Sequence, residues 1–560
     1  MSFYVELEKR LKDIKTREEL MKVRKELSKK FKLPHMPTII QMLCHLKEDQ
    51  VAKFKRLMVT KPTRTISGVA PLATMTMPFN CPVQAKCTFC PGGPGSVYGD
   101  TPKSYPGGSP AHKRAERNKY DPYLQVFNRL EHYCLLNQDC SKIELIIMGG
   151  TFTTYPLRYR HEFITLTLKA MNDFSDWFFT PEFDIKKFKE FFELPTDLLD
   201  DNRTKRIHEK LLKLRGESNL EVEQKRNEIA HIRCVTFCIE TRADCAKEVH
   251  TNDMLKLGAT RVEVGVQSLY DDVLQKVERG NDNADNIQAS QLLRDAFLKI
   301  GYHMMIGLPG SSAERDIAMH KELFSNPAYK PDALKVYPCM VFKGTKLFDQ
   351  WKKGEFTPID ALEARNRIVA IKPFFPEYCR VMRIQRDIPS SMVEAGVEKT
   401  NLRQEIHNEL IKKGIKCKCI RCREPKNREV DWSAVRLKRF NFEASNGQEV
   451  FLSFEDTKND LLLAFTRLRL PYQPYRKEIT PNTAGIREIH VYGAAVEIGK
   501  ESSKVQHKGL GLQLMEEAEK IAVEELDAKK MCIIAGIGVR EYFKQQLHYK
   551  QDGPYVSKKL

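Results

Sequence analysis

Cys81, Cys87 and Cys90 lie in the run CPVQAKCTFCPGGPG, and they carry the most specific chemistry in this 560-residue chain. Spaced C-x5-C-x2-C on a glycine- and proline-rich loop, three thiolates can hold three irons of a [4Fe-4S] cube and leave the fourth iron without a protein ligand. An iron left open in this way takes a small-molecule ligand. A structural zinc site asks for four protein ligands built from two pairs, and no second close pair follows at knuckle distance. A disulfide fits worse: nothing at the N-terminus resembles a signal peptide, and the 15 cysteines do not form a small secreted framework.

Other residues could complete such a site. Gly149 and Gly150 end the apolar run IELIIM and precede Thr151, exposing backbone groups that suit the amino group of a methionyl nucleoside on the open iron. Glu240 and Arg242 in IETRAD, and Glu263 and Gln267 in EVGVQS, are polar side chains at the ends of apolar runs, where they are expensive unless they bind something. Together with the thiols they make a ligand cradle. Near the C-terminus, Gln506, Gly509 and Gly511 form Q-x-x-G-x-G ahead of LGLQLMEEAEKIA, so a helix N-terminus with free amides can receive a pyrophosphate. Cys417, Cys419 and Cys422, C-x-C-x2-C among lysines and arginines, suit a tetrahedral zinc if a fourth ligand arrives from elsewhere. Cys339 is the first candidate for that ligand, with Cys379 or His407 next, and a metal there would pin the barrel to the linker.

These residues need elements to position them. Strand-like runs recur at 143–152, 234–244, 260–268, 303–310 and 333–342, with helical patterns between most of them, which predicts parallel β/α units closing into a partial (β/α) barrel over 61–345. The active site of such a barrel lies at the C-terminal strand ends. A densely charged stretch at about 172–230 reads as a helical insertion, and 346–430 as a linker holding the cysteine knot. Residues 431–560 have the pattern of a second, smaller α/β domain. Before the barrel, Leu7, Leu11, Ile14, Leu20, Val23, Leu27 and Phe31 recur at three- and four-residue steps, so residues 1–60 should hold two amphipathic helices with lysine- and arginine-rich outer faces.

A formal net charge of +18 points to a polyanionic partner, because Lys and Arg against phosphates are the main source of nucleic-acid affinity. No apolar run reaches membrane-spanning length. The expectation is a protein of the cytoplasm without a membrane anchor.

With these residues assembled, the chain resembles the catalytic subunits of Elongator in their single-chain archaeal form. CTFCPGGPG, KRAERNKYDPYLQ, KIELIIMGGTF, IETRADC, RVEVGVQSLYDDVL, RIQRDIP, REIHVYG, QHKGLGLQLMEEAE and GPY all fit, covering nearly the whole chain. Few families join a radical S-adenosylmethionine barrel to a GNAT acetyltransferase domain. The usual radical S-adenosylmethionine spacing is C-x3-C-x2-C, so the two extra residues here narrow the family. The resemblance implies a tRNA uridine(34) carboxymethyltransferase: S-adenosylmethionine on the cluster gives a 5′-deoxyadenosyl radical, which takes hydrogen from the methyl group of acetyl-CoA, and the resulting carbon radical adds to carbon 5 of the wobble uridine. It also implies acetyl-CoA contacts at Lys142, at Glu488, Ile489, His490 and Val491 on a strand, at Gly509, Leu510 and Gly511 in the loop, and at Tyr542. Some relatives have a second tyrosine where this chain has Phe543, so neither position is assigned catalysis. The expected partner is the tRNA anticodon stem-loop, monomer and homodimer both stay open, and no other subunit is required by the sequence. The competing readings are a protein lysine acetyltransferase with a structural cluster and a non-catalytic tRNA-binding scaffold that senses acetyl-CoA.

Overall fold

A computed structural model describes the chain except residues 1, 47–49, 51–53, 59–64, 66, 197–199, 400, 427 and 494–508. The part of the pyrophosphate loop that holds Gln506 therefore lies outside the described residues.

The N-terminal helices form as their spacing predicts. Phe3–Arg10 and Arg17–Lys30 pack with Ile39–His45 around Leu7, Leu11, Leu20, Leu27 and Met42. Thr16 caps the second helix by accepting from the Glu19 amide, and the Glu19 carboxylate accepts in return from the Thr16 amide at 3.2 Å, a reciprocal box that fixes where the helix starts.

Seven parallel strands build the barrel: β1 (Ala70–Met75), then β4 (Lys142–Met148), β5 (Arg233–Thr241), β6 (Arg261–Gln267), β7 (Lys299–Ile306), β8 (Ala333–Pro338) and β9 (Arg380–Arg383), side by side in that order. A small hairpin, β2 (Gly93–Ser96) and β3 (Gly99–Thr101), follows the cysteine loop. β1 and β9 are the edges of the sheet, so the barrel is open along one side. On β4 the odd-numbered Ile143, Leu145 and Ile147 are buried against the helical layer, while Lys142, Glu144, Ile146 and Met148 point inward.

Two boundaries differ from the sequence reading. The helix Leu157–Phe178 runs unbroken through the start of the expected insertion, with Asn172, Asp173, Phe174 and Ser175 buried. Its polar residues point inward because they have partners: Tyr123 donates to Asp173 at 2.7 Å and Asn172 donates to the Glu223 carboxylate at 2.7 Å. The charge-rich helices Ile185–Phe191, Asp201–Leu214 and Leu220–Ile229 come after it. The barrel sheet also reaches past residue 345, because β9 comes from the stretch read as linker.

The second sheet has the order β10 (Val435–Ala444), β11 (Gly447–Asp456), β12 (Leu461–Leu470), β13 (Thr483–Val491), β14 (Lys530–Ile533), β16 (Tyr555–Lys559) and β15 (Lys550–Asp552). One face packs on the helix Leu510–Glu524 and the other joins the barrel core through Phe451, Leu462, Phe465 and Tyr492. Docking is close: a Cβ on Gly536 would overlap the Val235 carbonyl of β5. At the seam, Arg294, Arg467, Arg469 and Arg487 are fully buried and bonded to Asp295, Asp332, Glu449 and Glu488. No helix among the described residues is long and apolar enough to cross a membrane.

Candidate active site

A cavity of about 1190 Å³ runs down the barrel, and Cys81, Cys87 and Cys90 line its upper end. Each sulfur has a local partner: Cys81 lies 3.4 Å from the Thr151 hydroxyl, Arg279 donates to Cys87 at 3.4 Å, and Cys90 lies 3.5 Å from the Ser104 hydroxyl. Burial and the two neighbouring thiols push the Cys90 thiol up, so a positive metal is needed to hold it as a thiolate. Two groups of described residues bring three or more ligand atoms within 4.8 Å of one another, and this trio is in neither. Its sulfurs are too spread to share one ion, which suits a cube whose irons each take a different sulfur. Gly150, Thr151, Glu240, Arg242 and Gln267 all line the same cavity, and Gly149 directly precedes Gly150 at the end of β4.

Below the cysteines lies a polar layer. Lys335 on β8 bridges Glu240 at 3.0 Å and Glu263, His303 on β7 lies 2.8 Å from Glu263, and Tyr105 donates to Glu240 at 2.9 Å. Burial pushes the Glu263 carboxyl up, but Lys335 and Arg261 outweigh it and hold the group well below its usual range. The same pairing holds the Lys335 ammonium well above its usual range despite burial. Glu240, Glu263 and His303 form the second close group of potential metal ligands, and the Lys335 ammonium already bridges its two carboxylates, offsetting one of their two charges. At the bottom, Arg261 spans Glu144 at 2.6 Å and Glu263 at 3.2 Å. Along the open edge, Arg114, Arg117 and Arg129 on the β1 side face Arg383, Arg386 and Arg421 on the β9 side.

Strand β13 meets the barrel floor. Alternation puts Ile489 and Val491 against the core around the helix Leu510–Glu524, to which Tyr542 also belongs, while Glu488, His490 and Tyr492 face the barrel. Glu488 pairs with Lys299 at the start of β7, and Tyr492 accepts from Arg380 at the start of β9 at 2.6 Å. A Cβ on Gly511 would lie 3.4 Å from Val491, so Gly509, Leu510 and Gly511 sit beside the strand as the pyrophosphate reading requires. β13 and β14 pair only from Thr483 to Ile486, and beyond that β13 continues with β12 alone, leaving a split between them. Lys142, in register with Arg233, is half-buried at the floor of the barrel, and burial lowers its ammonium below its usual range.

Comparison with known proteins agrees with this layout. The radical SAM superfamily model matches residues 79–323, the radical SAM C-terminal domain 331–412, and the ELP3 N-terminal domain 6–66. A tRNA uridine(34) acetyltransferase of Methanocaldococcus jannaschii is 44% identical over 94% of this chain and 90% of its own length. The chain belongs to the Elongator complex protein 3 family. Elongator complex protein 3 of Schizosaccharomyces pombe is 38% identical over 95% of this chain and 93% of its own length. The solved Elp3 of Methanocaldococcus infernus with an N-terminal deletion superimposes with a TM-score of 0.72 at 41% identity, covering 89% of this chain and all of that one. Membership of the radical SAM superfamily implies S-adenosylmethionine and a [4Fe-4S] cluster, and the three loop cysteines line the barrel cavity.

The second cysteine group departs from expectation at its fourth member. Cys417, Cys419 and Cys422 have sulfurs within 4.8 Å of one another, a fit for one ion. Cys339 is not with them. It packs with Phe89, Val273 and Leu347 beside Cys87 and Cys90, because β8 ends at the cysteine-loop end of the barrel. Cys379 lies nearer, since its carbonyl accepts from the Ile420 amide at 3.0 Å and Cys419 adds to burial in pushing its thiol up, but its sulfur is outside the close group. His407 is exposed on the helix Leu402–Lys412. The knuckle braces three elements, with Glu424 on Arg380 of β9, Arg423 on Glu455 of β11, and Arg423 on Asp460 at 2.8 Å.

Sequence reasoning missed Tyr105, Glu144, Arg261, Arg279, His303 and Lys335. For four of them the signal was present, since Glu144, Arg261, His303 and Lys335 interrupt apolar strands as Glu240 and Glu263 do. Tyr105 and Arg279 come from loops and carry no such pattern.

Proposed function

We propose that the protein carboxymethylates carbon 5 of the wobble uridine of tRNA in the cytoplasm, with acetyl-CoA as carbon donor. One observation supports this reading above the rest: a single cavity has three cysteines at its upper end and the acetyltransferase-type strand β13 against its floor. Cys81, Cys87 and Cys90 would hold a [4Fe-4S] cluster, which would supply the one-electron reduction of S-adenosylmethionine on which radical chemistry of this kind depends.

The chain's own residues do the rest by position. Gly149, Gly150, Thr151, Glu240 and Gln267 hold the methionyl nucleoside under the loop, and the Tyr105–Glu240–Lys335–Glu263 network keeps Glu240 ionised and fixed. The β13 backbone from Glu488 to Val491, with Gly509, Leu510, Gly511, Tyr542 and Lys142, holds acetyl-CoA. The arginines along the open edge receive the anticodon stem-loop phosphates, and the N-terminal helices add further contacts. Inside, the barrel walls keep a carbon radical from water and oxygen. Loss from the adduct of one electron, which the oxidised cluster would accept, and of the carbon 5 proton would restore the uracil ring, and hydrolysis of the thioester by water would then release CoA and leave the carboxymethyl group on the base. Cys417, Cys419 and Cys422 would hold a zinc ion whose role is to keep β9 against the second sheet. The tRNA name borne by the 44% identical relatives supports the substrate.

The test is mass spectrometry of tRNA nucleosides after anaerobic reaction with methyl-labelled acetyl-CoA, S-adenosylmethionine and a reductant. The native protein should place the label in the uridine, and Cys87→Ser with Cys90→Ser should lower the yield by at least about 10⁴-fold. Equal yields from both would discard the radical reading in favour of acyl transfer by the second domain alone.

A further inference from the structure

Acetyl-CoA and the cluster are placed at opposite ends of the barrel, and β4 measures the gap. Lys142 stands at the floor and Met148 beside the glycine pair at the top, six residue steps apart on one inward face, or roughly 20 Å. Glu144, Ile146 and Met148 all line the cavity, so the space is continuous from the cysteines down to Glu144. The Glu144–Arg261 pair lines the lower end of that space, on the side where β13 meets the barrel.

The β13 side of this pair is equally polar. Glu488, Arg380, Lys299 and Glu144 are the charged groups whose fields reach His490, and its Nε2 is buried without a hydrogen-bond partner among the described residues. A buried ring nitrogen left unpaired costs stability unless a ligand supplies its partner. Arg261 is bonded to Glu263 as well as to Glu144, so it can keep one carboxylate while releasing the other.

We infer that the acetyl thioester enters the barrel through its floor, between β13 and the start of β4, past the Glu144–Arg261 pair and His490, with its nucleotide left outside beside Gly509–Gly511. This rests on the proposed use of acetyl-CoA as carbon donor. The lining matches such an arm in order. The amides of a pantetheine chain want donors and acceptors, which Arg261, His490 and Glu144 supply at the floor. The acetyl thioester at its tip is apolar, as are Ile146 and Met148 above. The two macroscopic directions of access are then separate: the uridine comes by the arginine-lined open edge and the acetyl group by the floor, so neither has to leave before the other arrives.

Two plugs test the route, Glu144→Phe at the floor and Ile146→Phe one layer above it on the same face of β4. Three quantities are read on each reconstituted full-length protein: acetyl-CoA affinity, 5′-deoxyadenosine released without acetyl-CoA, and labelled carboxymethyluridine. The expected result is uncoupled 5′-deoxyadenosine within about threefold of native in both plugs, acetyl-CoA affinity lower by up to about tenfold because the arm loses part of its lining, and carboxymethyluridine lower by roughly 100-fold at saturating acetyl-CoA, because a methyl group held short of its target by a few ångströms is out of reach of the radical. Carboxymethyluridine within about threefold of native at saturating acetyl-CoA in either plug, or native acetyl-CoA affinity in both, overturns the floor route. Absence of label from the native protein's product is the separate failure of the carbon-donor reading itself.

Discussion

Where the two sheets meet, four buried arginines find a partner for nearly every charge: Arg487 bonds Asp332 at 2.5 Å, Arg469 bonds Asp295 at 2.6 Å and Glu449 at 3.0 Å, and Arg467 bonds Glu488 at 2.8 Å. Backbone carbonyls take up further donors, with Arg487 on Leu298 at 2.8 Å and Arg467 on Tyr378 at 2.7 Å. Inside the barrel, Glu263, Arg261 and Lys335 are buried and Glu240 is half-buried, and they border about 1190 Å³ of open space. The first set is paired almost throughout, with Arg294 Nε and Arg467 Nη1 left without a hydrogen bond among the described residues, and it faces packed protein, so it can only hold the molecule together. The second is paired enough to stay charged and keeps one side turned to whatever fills the cavity. Similar residue types thus serve structure in one place and chemistry in the other, and the distinction lies in what their remaining hydrogen-bonding capacity faces.

Removing one member of each set is the most direct way to break this contrast. Arg487→Ala should destabilise the protein by about 3–5 kcal/mol, because Asp332 and Glu449 are left buried with one cation fewer. Chemical denaturation monitored by circular dichroism measures it, and a loss near zero would mean the seam is wetter than it looks.

Acid should dissolve the seam in a definite order. Burial above all, with Arg380 and Lys299 adding to it against Glu488, lowers the His490 imidazole to about 4. The unfolded chain then takes up this proton near 6.5, so the stability it reflects is complete above pH 6.5 and is lost as pH falls towards 4. Glu488 is at about 2, since Lys299 and Arg467 outweigh its burial, so its contribution is complete above about pH 4.5 and is lost on the way down to 2. His490→Gln should flatten the upper limb by an amount on the order of 2 kcal/mol and leave the lower limb, as read from melting temperature against pH. An unchanged upper limb would show that His490 is not the group titrating there.

The cavity set should respond least in stability. Lys335→Met is expected to cost about 1 kcal/mol, because Glu240 and Glu263 can recruit water from the cavity, while uridine modification falls by roughly 100-fold as the layer loses its geometry. A stability loss as large as that of Arg487→Ala would erase the difference between the two regions.

The cysteine triplet, the glycine pair, the β/α rhythm and the split between barrel and second domain were legible because each is local: spacing, turn chemistry or a two-residue alternation writes it directly into a few neighbouring residues. The same logic found Glu240 and Glu263 as polar residues in apolar strands. It did not find their cation, Lys335, which lies 72 residues beyond Glu263 in sequence and reaches it only because β6, β7 and β8 are neighbours in the sheet. Cys339 failed as a partner of Cys417, Cys419 and Cys422 for the converse reason, since strand direction carried it to the opposite end of the barrel from the knuckle.

What the sequence by itself determined is therefore the set of chemical groups and the elements that carry them. Which groups meet was decided by the tertiary structure alone. Parallel strands bring residues of equal depth together however far apart they lie in the chain, and the docking of one sheet under another put Glu488 on Lys299 and Tyr492 on Arg380, contacts for which no spacing rule exists.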